Sequence, residues 1–234
     1  MVAAYRLVTS VAPGRPSCSG LVWYASYGSN MDPERLRHYL VGGRPDGGAR
    51  TYPGCRDQAP PRESVPVEMG GALYFATESA VWTGGRAFYD PHVAGTVRGY
   101  AHLVTAQQFS DIVAQEMYRA PGVDLDLAVV LSEGRQVLGD GRYETLVCPG
   151  ELDGVPVLTF TAPWALAEVP HTVPSAPYLW HLVVGLRLAG AWSDLAIASY
   201  LARAPGACGN WTAEGILGLM DGPPSSRPGN RSPM

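Results

Sequence analysis

The stretch LVWYASYGSNMDPERLRHYLVGG, residues 21–43, decides the fold. Its first part, Leu21–Tyr27, is apolar and aromatic, which suits a pleated, half-buried strand. Gly28-Ser29-Asn30 ends that strand in a tight polar turn. Asp32 then reads as an N-cap, with Pro33 at the first helical position and Glu34 in the first turn. The helix, about Pro33–Val41, stops at Gly42-Gly43. Successive backbone N–H groups at Gly28, Ser29 and Asn30 give such a turn the means to hold a carboxylate or an oxyanion. Many strand–helix turns contain Gly and Ser, so the turn alone names no chemistry.

Working outward, residues 1–20 form an irregular extension with one short strand around Tyr5–Thr9. Residues 42–71 are rich in Gly, Pro and Arg and cannot be one regular element. A loop of that length is either a functional flap or a surface insertion, and both readings stay open. Strands are expected at Ala72–Ala76, Gly85–Tyr89, Thr96–Val104, Arg142–Cys148 and Val155–Thr161. Helices are expected at Ala106–Tyr118, Ala176–Leu188 and Asp194–Ala202. This mix implies an α+β fold with a small mixed sheet or barrel flanked by helices. The expected division is an extension (1–20), a catalytic unit (21–162), a helical extension packed on it (163–220) and a disordered tail (221–234).

The segment TAQQFSDIVAQEMYR, residues 105–119, carries the most informative side chain. Thr105 with Gln108 makes a capping box, which fixes the helix start. Phe109, Ile112, Val113 and Met117 form one core-facing stripe at helical spacing. Glu116 stands on the same stripe, two turns above Phe109. A carboxylate there is costly unless it is paired or functional, and burial would favour its role as a proton acceptor. The plain alternative is a glutamate at the stripe's edge, or one paired with Arg119 or another arginine. Asp111 is expected to point to solvent.

Composition bounds the function classes. The chain has 234 residues, 46% hydrophobic and only 16% charged, with a formal charge of −4. That balance offers no basic footprint for nucleic acid, and no run reaches the ~20 apolar residues of a membrane span. There is no signal-peptide pattern at the N-terminus, so a cytoplasmic location is expected. Cys18, Cys55, Cys148 and Cys208 form no CxxC pair and are expected to be reduced. Neither a GxGxxG fingerprint nor a Walker loop is present, and no G-x-S-x-G elbow. The histidines (His38, His92, His102, His171, His181) show no HxxE or HxH spacing, so a zinc deacetylase has no visible ligand set.

Four separate segments resemble the γ-glutamylcyclotransferase family, which includes the AIG2-like proteins. Tyr27-Gly28-Ser29-Asn30-Met31 resembles its Y-G-S-N-[LM] substrate loop, and Trp82-Thr83-Gly84-Gly85-Arg86-Ala87 its W-x-G-G-x-A segment, followed by Gly95, Val97 and Gly99. Gln115-Glu116 falls on the helix where that family carries its catalytic glutamate, and Tyr143 where it has a pocket tyrosine. The match runs from about Val22 to Thr161. Met117-Tyr118-Arg119 depart from it, since the family often has a small residue after the glutamate.

The resemblance implies an enzyme that cyclises a γ-glutamyl amide or peptide to 5-oxoproline and releases the amine. Glu116 would be the general acid/base, and Tyr27, Gly28, Ser29, Asn30, Met31 and Tyr143 would bind substrate, with no cofactor or metal. The partner implied is a small molecule, with no nucleic acid or membrane, and the chain a monomer or homodimer. In the long loop, Arg44, Arg50, Arg56 and Arg62 are candidate contacts for a larger or anionic substrate. Alternatives are a same-fold amide hydrolase or deprotecting enzyme of a biosynthetic pathway, and a non-catalytic binding module.

Overall fold

The structure, a computed structural model, describes residues 4–10, 20–45, 50–79 and 82–222. Cys18 and nearly all of the expected tail lie outside the described residues. The strands are β1 (Arg6–Leu7), β2 (Leu21–Ser26), β3 (Ser64–Gly70), β4 (Ala72–Glu78), β5 (Gly85–Asp90), β6 (Thr96–Thr105), β7 (Arg135–Val137), β8 (Thr145–Leu152) and β9 (Val155–Thr161). The helices are α1 (Pro33–Val41), α2 (Ala106–Glu116), α3 (Ala128–Glu133), α4 (Ala176–Ala189), α5 (Asp194–Arg203) and α6 (Ala213–Leu217).

Seven strands form one mixed sheet in the order β1-β3-β6-β2-β9-β8-β7, while β4 and β5 pair separately. Strand β2 lies at the centre, antiparallel to β6 and parallel to β9. Successive side chains of a strand point to opposite faces, and β2 uses both. Trp23 and Ala25 pack with Leu182, Leu186 and Leu201 of α4 and α5. Val22 and Tyr24 pack with Leu36, Phe109, Ile112 and Val113 of α1 and α2. The result is an α+β fold with helices on both faces of the sheet. Among the described residues no helix is long and apolar enough to cross a membrane.

Helix α1 begins and ends where the sequence puts it, and the Asp32 side chain accepts the N–H of Glu34. The capping box at Thr105 and Gln108 also forms, with both bonds at 3.0 Å. Three expectations need correction. The long loop contains a real strand, β3, in which Val65, Val67 and Met69 are buried. The strand expected from Arg142 starts at Thr145 instead. Glu144 folds back to accept the N–H of Gly141, which keeps Arg142 and Tyr143 in a turn before β8.

Asp111, expected at solvent, is fully buried (0% exposed). The loop after α1 crosses the outer side of α2 and delivers the backbone N–H of Arg56 to Asp111 at 2.9 Å. The Arg56 guanidinium joins it at 2.9 Å and also reaches Asp124. On the same side of the sheet, His102 accepts or donates a 2.8 Å bond with Ser64 and is 1% exposed. Burial pushes its imidazole down to about 3, so it is neutral.

Candidate active site

Antiparallel pairing brings the two informative segments together. Leu21 of β2 lies opposite Thr105 of β6, and Ala106 donates to Gly20 at 3.0 Å, so α2 starts beside the beginning of β2. From there β2 rises about 20 Å over its six residues. Helix α2 runs back alongside it for about 16 Å over eleven residues. Both therefore finish at the same level: β2 in the turn of residues 27–31, α2 at Glu116. The bond that closes this approach is Asn30 Nδ2 to Glu116 Oε1, 3.0 Å long across 86 residues of chain.

Asn30 also donates to the Tyr24 hydroxyl at 3.2 Å, so its amide is oriented from both sides. The residues Ser29–Met31 form one tight helical turn, opened by Gly28. The first N–H groups of a helical turn have no acceptor within it, and this turn faces a cavity of about 930 Å³. Tyr27, Gly28, Ser29, Asn30, Glu116 and Tyr143 all line that cavity. Met31 is turned the other way. It is buried beneath the turn, against α4 at Gly185, where an added Cβ would meet Met31 Cβ at 2.4 Å.

The tryptophan–glycine segment supplies the opposite wall. Tyr178 of α4 accepts the N–H of Ala87 at 3.0 Å, and Tyr143 donates to the Ala87 carbonyl at 3.2 Å. Gly85 is required by a close approach: a Cβ there would meet Thr172 O at 2.1 Å. Burial first, and the neighbouring Glu116 carboxylate next, push the hydroxyls of Tyr24 and Tyr39 above their ordinary range. These phenols remain protonated: the Tyr24 hydroxyl accepts from Asn30, and that of Tyr39 bonds to the Tyr52 hydroxyl at 3.2 Å.

Several site residues were not singled out from the sequence. Arg35 of α1 donates to Ser29 Oγ at 2.8 Å and lies 5.1 Å over the Trp82 ring. Burial opposes its charge, but Tyr39, Tyr52 and Glu116 hold its pKa above the ordinary value. His181 pairs with Asp32 at 3.1 Å. Burial opposes the charge of Asp32, but the His181 hydrogen bond and charge keep its carboxyl below the usual range. Arg86 and Arg142 also line the cavity. Of the four loop arginines expected as contacts, Arg44 and Arg50 line it, whereas Arg56 is taken by Asp111 and Asp124. Arg62 does not line it; its N–H pairs with Leu103 O.

The chain ends α2 in an unusual way. Tyr118 takes φ 59°, the left-handed region in which helices usually end on Gly. For a tyrosine that conformation costs about 1–2 kcal/mol. Tyr118 is 59% exposed, and the guanidinium groups of Arg50 and Arg142 lie 4.4 Å and 4.7 Å from the centre of its ring. Among the described residues no three His, Cys, Asp or Glu side chains are grouped so as to hold a metal ion.

No family model matches the chain. It is 30% identical over 201 residues to "Histone deacetylase 5" of Arabidopsis thaliana, which covers 78% of this chain. The chain spans only 30% of the length of that relative. A solved structure of the uncharacterized human protein loc79017 covers 87% of this chain and 100% of its own, at a TM-score of 0.50 and 14% identity. A structure described as gamma-glutamyl cyclotransferase covers 86% and 99%, at a TM-score of 0.48 and 15% identity. At these identities the likeness is one of fold alone: the chain shares the overall architecture of the loc79017 structure.

Proposed function

We propose that the chain is an enzyme that cyclises the γ-glutamyl group of a small γ-glutamyl amide or peptide to 5-oxoproline, releasing the amine. The observation that carries this reading is the 3.0 Å bond from Asn30 to Glu116, which joins the Y-G-S-N turn to the helix carboxylate inside one cavity. On this reading residues 21–162 carry the chemistry, and the helices of 163–220 support it.

The steps follow from the groups present. Glu116 takes a proton from the substrate α-ammonium, and the freed amine nitrogen attacks the side-chain amide carbonyl. A five-membered ring closes, and negative charge develops on the carbonyl oxygen. Backbone N–H groups of the 28–30 turn and the Ser29 hydroxyl are positioned as donors for that charge or for the α-carboxylate. Protonated Glu116 then delivers its proton to the amide nitrogen, the C–N bond breaks and the amine departs. Glu116 takes the second proton from the ring nitrogen, leaving the neutral ring amide of 5-oxoproline. Holding the amine against the carbonyl supplies much of the rate, because the reaction becomes a matter of geometry. All proton transfers run through one side chain, and neither metal nor cofactor is needed for them.

The test is direct. Purified protein is mixed with a panel of γ-glutamyl amino acids and amines, and 5-oxoproline is followed by mass spectrometry beside Glu116→Gln. Production by the unaltered chain alone supports the reading. Equal production by both proteins removes Glu116 from the mechanism, and silence across the panel removes the reaction.

A further inference from the structure

A serine hydroxyl has one proton to donate and two positions at which it accepts. One acceptor position of Ser29 is filled by Arg35, whose Nε donates to Ser29 Oγ at 2.8 Å. A guanidinium group can only donate, so this bond leaves the serine proton uncommitted. Among the described residues no acceptor takes that proton, and Ser29 stands on the cavity wall next to Asn30, whose amide holds Glu116.

Arg35 is held in this position from its other sides. Its Nη2 donates to the Tyr52 hydroxyl at 3.4 Å, and its guanidinium centre lies 5.1 Å over the Trp82 ring. Among the described residues no carboxylate forms an ion pair with it. Asp32 and Glu34, the acids nearest to it in sequence, are taken by His181 and Arg37. The helix start works against it as well. Arg35 is the third residue of α1, where the helix dipole favours acids and disfavours cations.

A cation kept there without a counter-ion acts through the bonds it does make. A guanidinium group grips a carboxylate best through two parallel N–H donors. The Nε and Nη2 of Arg35 form one such edge, and both are spent, on Ser29 and on Tyr52. Its charge therefore reaches the cavity through the serine. Donation from a cation draws electron density from Oγ and strengthens the remaining O–H as a donor.

We propose that Arg35 is a positioning residue for the cyclisation, fixing the Ser29 O–H as a donor to the carbonyl oxygen that becomes negative as the ring closes. The inference rests on the cyclisation reading. Ser29 donates a hydrogen bond and keeps its proton, and Glu116 remains the group that moves protons. A donor fixed in advance needs no reorganisation as charge develops, so it lowers the barrier rather than tightening ground-state binding.

The experiment is a double-variant cycle in steady-state kinetics, run with the best γ-glutamyl compound of the panel. Ser29→Ala is expected to lower kcat by about 10²-fold, with KM within about twofold. Arg35→Gln is expected to lower kcat by about tenfold, the size of one hydrogen bond to a charged group. In the Ser29→Ala background the same change is expected to cost less than about twofold, because the bond it breaks is already gone. Arg35→Lys keeps a cationic donor and loses less than Arg35→Gln. Arg203→Gln, on the exposed end of α5, is the charge control and changes neither constant.

Losses that multiply in the double variant overturn the proposal, since Arg35 would then act on something other than Ser29. A raised KM with unchanged kcat also overturns it, because the serine would then serve the substrate in its ground state. Tm is measured for every variant. If Arg35→Gln melts below the assay temperature, Trp82→Phe replaces it. That change loosens the guanidinium without removing it, and a smaller loss with the same dependence on Ser29 is expected. If the unaltered chain makes no 5-oxoproline, the cyclisation reading fails and this proposal with it. If it makes 5-oxoproline and Arg35→Gln matches it, this proposal alone fails.

Discussion

Asp111 and Glu116 lie five positions apart on one helix, and they belong to different worlds. Around Asp111 the surface is sealed: the carboxylate is wholly buried and is met by the backbone N–H and guanidinium of Arg56. Around Glu116 the molecule is open, and the donor that reaches it is a neutral amide, that of Asn30. Both are acids on α2, and their surroundings separate them. Where neighbours complete a buried carboxylate, the group is part of the scaffold; where they orient it but leave it facing a cavity, it stays within reach of whatever enters.

The sharpest way to break this contrast is to neutralise each acid in turn. Glu116→Gln is expected to lower kcat/KM for 5-oxoproline formation by about 10²–10⁴-fold, with Tm unchanged by calorimetry. Asp111→Ala should do the reverse. It strands the N–H of Arg56 beneath the loop and is expected to cost about 1–3 kcal/mol in urea unfolding, with little change in turnover per folded molecule. Should Asp111→Ala abolish turnover while stability holds, the division between scaffold and chemistry fails.

His102 extends the sealed region to pH. Its folded pKa, about 3, lies below the ordinary histidine value of about 6.5. Between those values the unfolded chain binds a proton that the folded chain refuses, so stability rises with pH. The contribution is complete above about 6.5 and is lost as pH falls, by up to about 1.4 kcal/mol per pH unit. His102→Gln is expected to flatten this dependence between pH 6.5 and 4, measured by urea unfolding at each pH. No flattening would mean that other groups carry it.

The mildest test lies on the open side. A Cβ at Gly28 would stand 3.5 Å from the Tyr178 hydroxyl and 3.8 Å from Ala87 Cβ, ordinary contacts inside the cavity. Gly28→Ala should therefore leave stability within about 0.5 kcal/mol, while the lost space raises KM a few-fold, about 1 kcal/mol at most. Steady-state kinetics with the best substrate of the panel checks it.

The open side was also the more legible in the sequence, because its landmarks are local. A polar turn between a strand and a capped helix can be read within 23 residues, and a glutamate on an apolar stripe within a dozen. The sealed side could not be read in this way. Asp111 falls off the apolar stripe, and only a loop from 55 residues earlier in the chain makes its face internal. Strand β3 alternates Val65, Val67 and Met69 correctly, but Pro66 and the flanking glycines disguise it. Pro66 is tolerated because β1 pairs only at Val67 and Glu68, leaving the strand unpaired on that side at residue 66. Of the cavity's arginines, Arg44 and Arg50 could be named as candidate contacts from their loop, whereas Arg35, Arg86 and Arg142 could not, because a single arginine in a helix, turn or strand reads as a solvated side chain.

The packing of Gly185 against Met31 has a consequence for synthesis. The 27–31 turn leaves the ribosome well before α4, the helix that braces it from behind. The central strand also waits, since its parallel neighbour β9 is among the last strands to be made. The segments up to α4 must be translated before the turn has its final support, and long-range pairings of this kind form slowly. A nascent chain thus carries the 27–31 turn before there is a cavity for it to line. The cavity should take shape only when α4 docks.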